Sequence, residues 1–126
     1  DAVNEAFARV YNHDSKWAIF YTEDKKGIKL ESEGNAESNF DAFRDALPDD
    51  LPRWGVFDLL VEKADGSTSS KIVFYSYVPD TYSGMDKLFY SGCKESISSK
   101  MDGVARSIQA NDKDDVNEKE AIELFL

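Results

Sequence analysis

From Ala2 to Tyr11 the apolar residues Ala2, Val3, Ala6, Phe7, Val10 and Tyr11 recur at i, i+1, i+4, i+5 and i+8, the spacing of one helix face. Lys16 to Thr22 then runs Trp17-Ala18-Ile19-Phe20-Tyr21, too continuously apolar for a half-wet edge. That pattern predicts a central strand covered on both faces. Glu23-Asp24-Lys25-Lys26-Gly27 reads as a turn. Ile28 and Leu30 alternate with Lys29 and Glu31, which predicts a second strand with one polar face.

Asn35 to Asn39 is polar and reads as a loop. Ser38 or Asn39 is placed to cap a short helix carrying Phe40, Phe43 and Leu47, ended by Pro48. Arg53 to Lys63 predicts a third strand, Ala64-Asp65-Gly66-Ser67 a tight hairpin turn, and Lys71 to Val78 a fourth strand stopped by Pro79-Asp80. A long helix is expected from about Gly84 to Met101 and a short strand at Val104 to Ala110. A last helix opens at Asp114 or Asp115 and carries Val116, Ala121, Ile122, Leu124 and Phe125. The order α-β-β-α-β-β-α-β-α mixes hairpins with helices. It fits a mixed sheet with helices on both sides.

At 126 residues, with 41% hydrophobic and 13% aromatic positions, the chain can bury one core and not two. No internal repeat or linker divides it. The 25 acidic against 15 basic residues give a net charge of −10. That charge argues against duplex nucleic acid and against a general affinity for anionic membranes. One cysteine, Cys93, makes no internal disulfide, which suits a reducing cytoplasm or nucleus. No apolar run approaches the ~20 residues of a bilayer span. Asp1-Ala2-Val3-Asn4-Glu5 has no signal-peptide character and no initiator Met, as in a trimmed chain. A soluble intracellular monomer is the expectation.

Catalytic chemistry is hard to assemble. His13 is the one histidine, so no His cluster can hold zinc, and it reads as an exposed loop residue. Cys93 has only Lys94 beside it and reads as a small buried hydrophobe. The seven glycines are isolated, so no phosphate-cradling loop is present. Asp112-Lys113-Asp114-Asp115 lacks the Gly and the closing Glu of a calcium loop and reads as a solvated helix start. Neither metal nor cofactor is expected. Pro48-Asp49-Asp50-Leu51-Pro52 reads as a rigid turn.

The helix expected over Gly84 to Met101 carries the functional signal. Phe89, Tyr90, Cys93, Ile97 and Met101 form its core stripe at ~100° per residue. The opposite face holds Met85, Leu88 and Gly92, flanked by Ser91, Ser98 and Ser99, with Lys87 and Lys94 along one border. Exposed apolar residues beside lysines suit a docking face.

These residues also carry a resemblance. Lys71-Ile72-Val73-Phe74, Pro79-Asp80-Thr81, Lys87-Leu88-Phe89-Tyr90, Lys94 and Ile97 follow one another as in the actin-depolymerising factor/cofilin family. Lys16-Trp17-Ala18-Ile19-Phe20 resembles its first strand and Phe40-Asp41-Ala42-Phe43 with Leu47-Pro48 its short helix. Trp54-Gly55-Val56-Phe57-Asp58 resembles its third strand, and Gln109-Ala110-Asn111-Asp112 the segment before its last helix. The resemblance implies one ADF-homology domain over residues 1–126, of gelsolin-like α/β (α+β) fold, a central mixed β-sheet sandwiched by helices on both faces. It further implies binding to actin, cytoplasmic placement on the actin cytoskeleton, and no enzymatic activity.

Carried over residue by residue, the monomer-binding face is Asp1, Ala2, Val3 and Asn4 with Met85, Lys87, Leu88, Ser91, Lys94 and Glu95. The filament surface would comprise Ser69, Ser70 and Lys71 on the hairpin, and Lys119 and Glu123 on the last helix. There the chain departs from the family. Leu88 replaces the usual Met, and Met85 stands where many members carry a basic residue. Ser98-Ser99 replaces a basic pair, and the hairpin run Gly66-Ser67-Thr68-Ser69-Ser70-Lys71 holds one lysine. The family's regulatory Ser before a Gly near the start has no equivalent within residues 1–126. The expected protein binds monomers, binds filaments and phosphoinositides more weakly, and promotes filament disassembly by favouring one filament state. The alternative within the same fold group is a coactosin-like, twinfilin-like or glia-maturation-factor-like domain regulating actin or the actin-branching complex. An enzyme using Cys93 is a third reading, which thiol blocking would separate from the first two.

Overall fold

The computed structural model describes residues 2–22, 28–82 and 103–126. The turn expected at 23–27, the long helix expected at 84–101 and Cys93 lie outside the described residues. The described elements are α1 (Ala2–Tyr11), β1 (Ser15–Tyr21), β2 (Lys29–Asn35), α2 (Phe40–Ala46), β3 (Arg53–Glu62), β4 (Thr68–Tyr77) and β5 (Val104–Ala110). One 3-10 turn (Lys113–Asp115) and α3 (Glu118–Glu123) follow.

The strands form one sheet in the order β2-β1-β3-β4-β5. The first three pairings are antiparallel and β5 joins β4 in parallel. The sheet is therefore mixed. Two cores lie on its two faces. On one, Trp17, Ile19, Phe57, Leu59, Val73 and Tyr75 pack against Phe40 and Phe43 of α2 and against Val116 and Ala121 near α3. On the other, Ala18, Phe20, Trp54, Val56, Ile72 and Phe74 pack against Ala6, Phe7 and Val10 of α1. Alternate residues of β1 thus enter opposite cores, which is why its run is apolar throughout.

Local chemistry fixes the ends. Asn39 caps α2 by accepting the Ala42 amide at 2.9 Å. Ser38, the other capping candidate, instead accepts the Trp17 indole N–H at 2.9 Å. β2 runs to Asn35, beyond the expected stretch at Ile28–Glu31. Its added residues are held by pairing and polar bonds, which leave no hydrophobic alternation to read. The last helix also starts later than expected. Asp112 caps only the 3-10 turn, accepting the Asp115 amide at 3.0 Å, and Asn117 caps α3 through the Glu120 amide at 3.0 Å. Acidic residues suit both starts equally. Both starts also carry a side-chain cap, so neither signal separates the 3-10 turn from the helix in the sequence.

His13 adopts a left-handed backbone with φ 68°. Its ring is exposed as expected, yet Nδ1 lies 2.7 Å from Oδ2 of the buried Asp58 on β3. The loop histidine thus ties the end of α1 to the sheet.

Candidate functional site

The residues expected at the monomer face divide by what is described. Ala2, Val3 and Asn4 form the first turn of α1, Ala2 and Asn4 exposed and Val3 half-buried against the α1-side core. Asp1, Met85, Lys87, Leu88, Ser91, Lys94 and Glu95 lie outside the described residues. α1 is seated by its buried Ala6, Phe7 and Val10 and pinned by a bidentate ion pair. Arg9 Nε and Nη2 donate to Glu33 of β2 at 2.8 and 2.6 Å, and the Ser15 hydroxyl adds a bond at 3.0 Å. The Arg9 bond holds the Glu33 carboxyl below the usual carboxylate range against the opposing effect of burial. Such two-point contacts fix orientation as well as distance. They set the direction in which the helix start projects.

The hairpin joining β3 and β4 is in register from Arg53↔Tyr77 to Glu62↔Thr68. Its turn closes through Gly66 at φ 87° and through the Asp65 carboxylate, which accepts the Ser67 amide and hydroxyl at 2.9 and 2.6 Å. Directly paired residues share a sheet face. Ser69 pairs with buried Val61, and its hydroxyl is buried without a partner. Ser70 pairs with Leu60, which is 55% exposed, and Thr68 pairs with exposed Glu62. The open face near the hairpin tip is therefore Leu60, Glu62, Thr68 and Ser70, with Ser69 turned to the other side. β4 also starts three residues before the expected Lys71. Hydroxyl side chains hide the strand from a hydrophobic pattern while leaving its backbone free to pair.

The exposed Leu60 was not legible in the sequence, because it stands inside the apolar run of β3. Lys119 and Glu123 are exposed and one turn apart on α3. α1 and α3 pack on opposite sheet faces, so the helix start and the Lys119–Glu123 pair are separated by the sheet.

Tyr75 is fully buried, and its hydroxyl has no hydrogen-bond partner. Burial, and then the carboxylates of Glu120 and Glu118, hold the phenol protonated well above its usual range. Among the described residues no group of His, Cys, Asp and Glu is placed to hold a metal, and no helix is long and apolar enough to cross a membrane.

A mixed five-stranded sheet flanked by helices on both faces is the architecture of solved cofilins and their fold relatives. Cofilin of Streptomyces griseoflavus superposes with a TM-score of 0.86 over 98% of this chain and 94% of that one, at 27% identity. Coactosin of Entamoeba histolytica superposes at 0.82 over 98% and 90%, and its 16% identity speaks to the fold alone. The family described as cofilin/tropomyosin-type actin-binding protein matches residues 1–124. Actin-depolymerizing factor 8 of Arabidopsis thaliana is 29% identical over 103 residues, 81% of this chain and 74% of its own length. An actin-depolymerizing factor of Vitis vinifera is 34% identical over 98 residues, 77% of this chain and 68% of its own. The chain belongs to the actin-depolymerising factor/cofilin family of actin-binding proteins.

Proposed function

We propose that this protein binds actin monomers and promotes filament disassembly from the cytoplasm as a monomer, with a weakened grip on filaments and on phosphoinositides. The monomer face is Asp1 to Asn4 together with Met85, Lys87, Leu88, Ser91, Lys94 and Glu95. The filament surface is Ser69, Ser70 and Lys71 of the hairpin with Lys119 and Glu123 of α3; Ser69 and Lys71 share the α3 side of the sheet, and Ser70 faces the other way. The observation that carries the weakened filament surface is the hairpin itself. Its open face offers Leu60, Glu62, Thr68 and Ser70, with no cation among them. An acidic chain with few local positive groups depends on each one for attraction to an acidic partner. The matched sequence relatives are named actin-depolymerizing factors, which supports this branch of the fold group over the coactosin-like one.

Titration of fluorescent actin monomers beside filament co-sedimentation is the test. Tight monomer binding with weak pelleting is the expected result. Strong severing of filaments under the microscope overturns the reading of the hairpin. Absence of any monomer binding overturns the reading of the long helix.

A further inference from the structure

β5 carries one extra residue against β4. Ile72 pairs with Val104 and Val73 with Arg106, so Ala105 has no partner of its own across the pair. Such a bulge re-aims the side chains that follow it. In the register set by Ile72 and Val104, Arg106 would stand opposite Phe74 and face the α1 side. The bulge places it opposite Val73 instead, on the α3 side with Ile108 and Ala110. Lys71 faces that side as well, because it pairs with the core residue Leu59. Arg106 and Lys71 are therefore diagonal neighbours on one face of the sheet. Val73 lies midway between Lys71 and Tyr75 on β4, and Tyr75 with Ile108 forms the seat of α3. Arg106 thus stands between the hairpin and the last helix.

The chain has four arginines. Three are tied down within it: Arg9 to Glu33, Arg44 to the Lys113 carbonyl and Asp114, and Arg53 to Glu31. Arg106 is exposed, and its side chain makes no hydrogen bond or ion pair among the described residues. Lys71 beside it has no ion pair among them either. Two neighbouring cations left without an acid, in a chain of net charge −10, suit a negative partner surface.

We propose, resting on the filament reading above, that Arg106 is a filament-contact residue, which with Lys71 forms a cationic strip against an acidic surface of the actin filament. The strip joins the two parts of the filament surface, the hairpin and the exposed Lys119–Glu123 side of α3. It supplies on the α3 side the charge that the open face of the hairpin lacks. The planar fork of arginine suits carboxylates, which it meets through two parallel bonds. α1, which bears the described part of the monomer face, packs on the other side of the sheet and stays clear of this contact. The bulge that decides the facing of Arg106 leaves no trace in the hydrophobic pattern, so the sequence alone assigns it to neither surface.

Filament co-sedimentation and fluorescent monomer titration of the whole chain test this with Arg106→Gln, Arg106→Lys and Lys113→Gln. Arg106→Gln should weaken filament binding about tenfold, the loss of one charged bond, and leave monomer affinity and melting temperature unchanged. Arg106→Lys should lose less, since the charge stays and only the fork goes. Lys113→Gln removes the same charge beyond the far end of β5, where Lys113 pairs with the exposed Asp49, and should leave filament binding unchanged. Equal pelleting of the unsubstituted chain and Arg106→Gln overturns the role of Arg106 and leaves the filament reading standing. An equal loss in Lys113→Gln makes the effect one of net charge, and an equal loss of monomer binding places Arg106 on the other surface; either overturns the proposal. Phosphatidylcholine vesicles carrying phosphatidylinositol bisphosphate form the last arm. If Arg106→Gln loses vesicle binding and keeps filament binding, the strip belongs to a lipid headgroup and the proposal falls. If the unsubstituted chain pellets with no filament, the filament reading falls and this contact falls with it.

Discussion

Gly34 of β2 lies directly under the indole of Trp17 on β1. The two residues pair across the strands, and a Cβ on Gly34 would stand 2.1 Å from the indole Nε1. The same indole donates to Ser38, so the ring has no freedom to retreat. A glycine is required here for the close approach of backbone to ring. Gly34→Ala should cost roughly 1–3 kcal/mol, the usual range for overpacking. Urea unfolding followed by tryptophan fluorescence measures it, and an unchanged midpoint would show that the indole has room to move.

The Arg9–Glu33 pair gives stability a pH dependence of definite sign. The folded-state pKa of Glu33 is below its unfolded value. Its contribution is therefore present above the unfolded pKa and is lost as pH falls through the folded one. Glu33→Gln should flatten the acid limb of the stability curve and leave its shape near neutrality unaltered. Urea midpoints collected between about pH 7 and pH 3 would reveal this, and identical acid limbs would exclude Glu33 as a contributor.

Charge can be returned to the hairpin only where side chains face outward. Thr68→Lys with Ser70→Arg places both cations on the open face beside Leu60. Each exposed contact is worth about 0.2–1 kcal/mol, so filament affinity should rise severalfold while monomer affinity stays nearly constant. Ser69→Arg is the control, since it pushes a charge to the side of Val61 and should lower the melting temperature. Co-sedimentation that ignores the outward pair would place the filament contact elsewhere.

The docking helix expected from the sequence makes a separate claim. Replacing Lys87 and Lys94 with Ala should weaken monomer binding by roughly 1–3 kcal/mol if both make charged hydrogen bonds, with little change in melting temperature. Leu88→Asp should abolish binding and preserve the circular dichroism spectrum, because a charge then enters an apolar contact. Loss of the fold in Leu88→Asp would make Leu88 a core residue.

Most of the fold was legible because hydrophobic periodicity follows burial. β1, β3 and β5 and the first two helices stand within a residue or two of their expected bounds. What escaped has polar causes. The second half of β2 is held by Glu33 bonded to Arg9 and Ser15, and the start of β4 is a run of hydroxyl residues. Asp112 and Asn117 both accept an amide three residues on, so capping alone does not mark which of the two opens the last helix. At the candidate site, the sequence named the hairpin residues but not their facing. Pairing register alone separates Ser69 from Ser70. The exposed Leu60 and the His13–Asp58 contact depend on residues far apart in sequence, which a linear pattern does not bring together.

The strand order carries a kinetic consequence. β3 and β4 are joined by residues 63–67, whereas β4 and its parallel neighbour β5 are separated by residues 78–103. The hairpin closes a short loop, while β5 must be recovered across a long one before its pairing contributes anything. The antiparallel half of the sheet should therefore form early and β5 should dock late. Mutations that weaken the Ile108–Tyr75 pairing should speed unfolding and leave the folding rate almost untouched, whereas changes in the Val56–Phe74 pairing should slow folding. The seat of α3 over Tyr75 and Ile108 is completed by that late strand, so it would come into being only in the final step, after the surfaces on the early half of the sheet already exist.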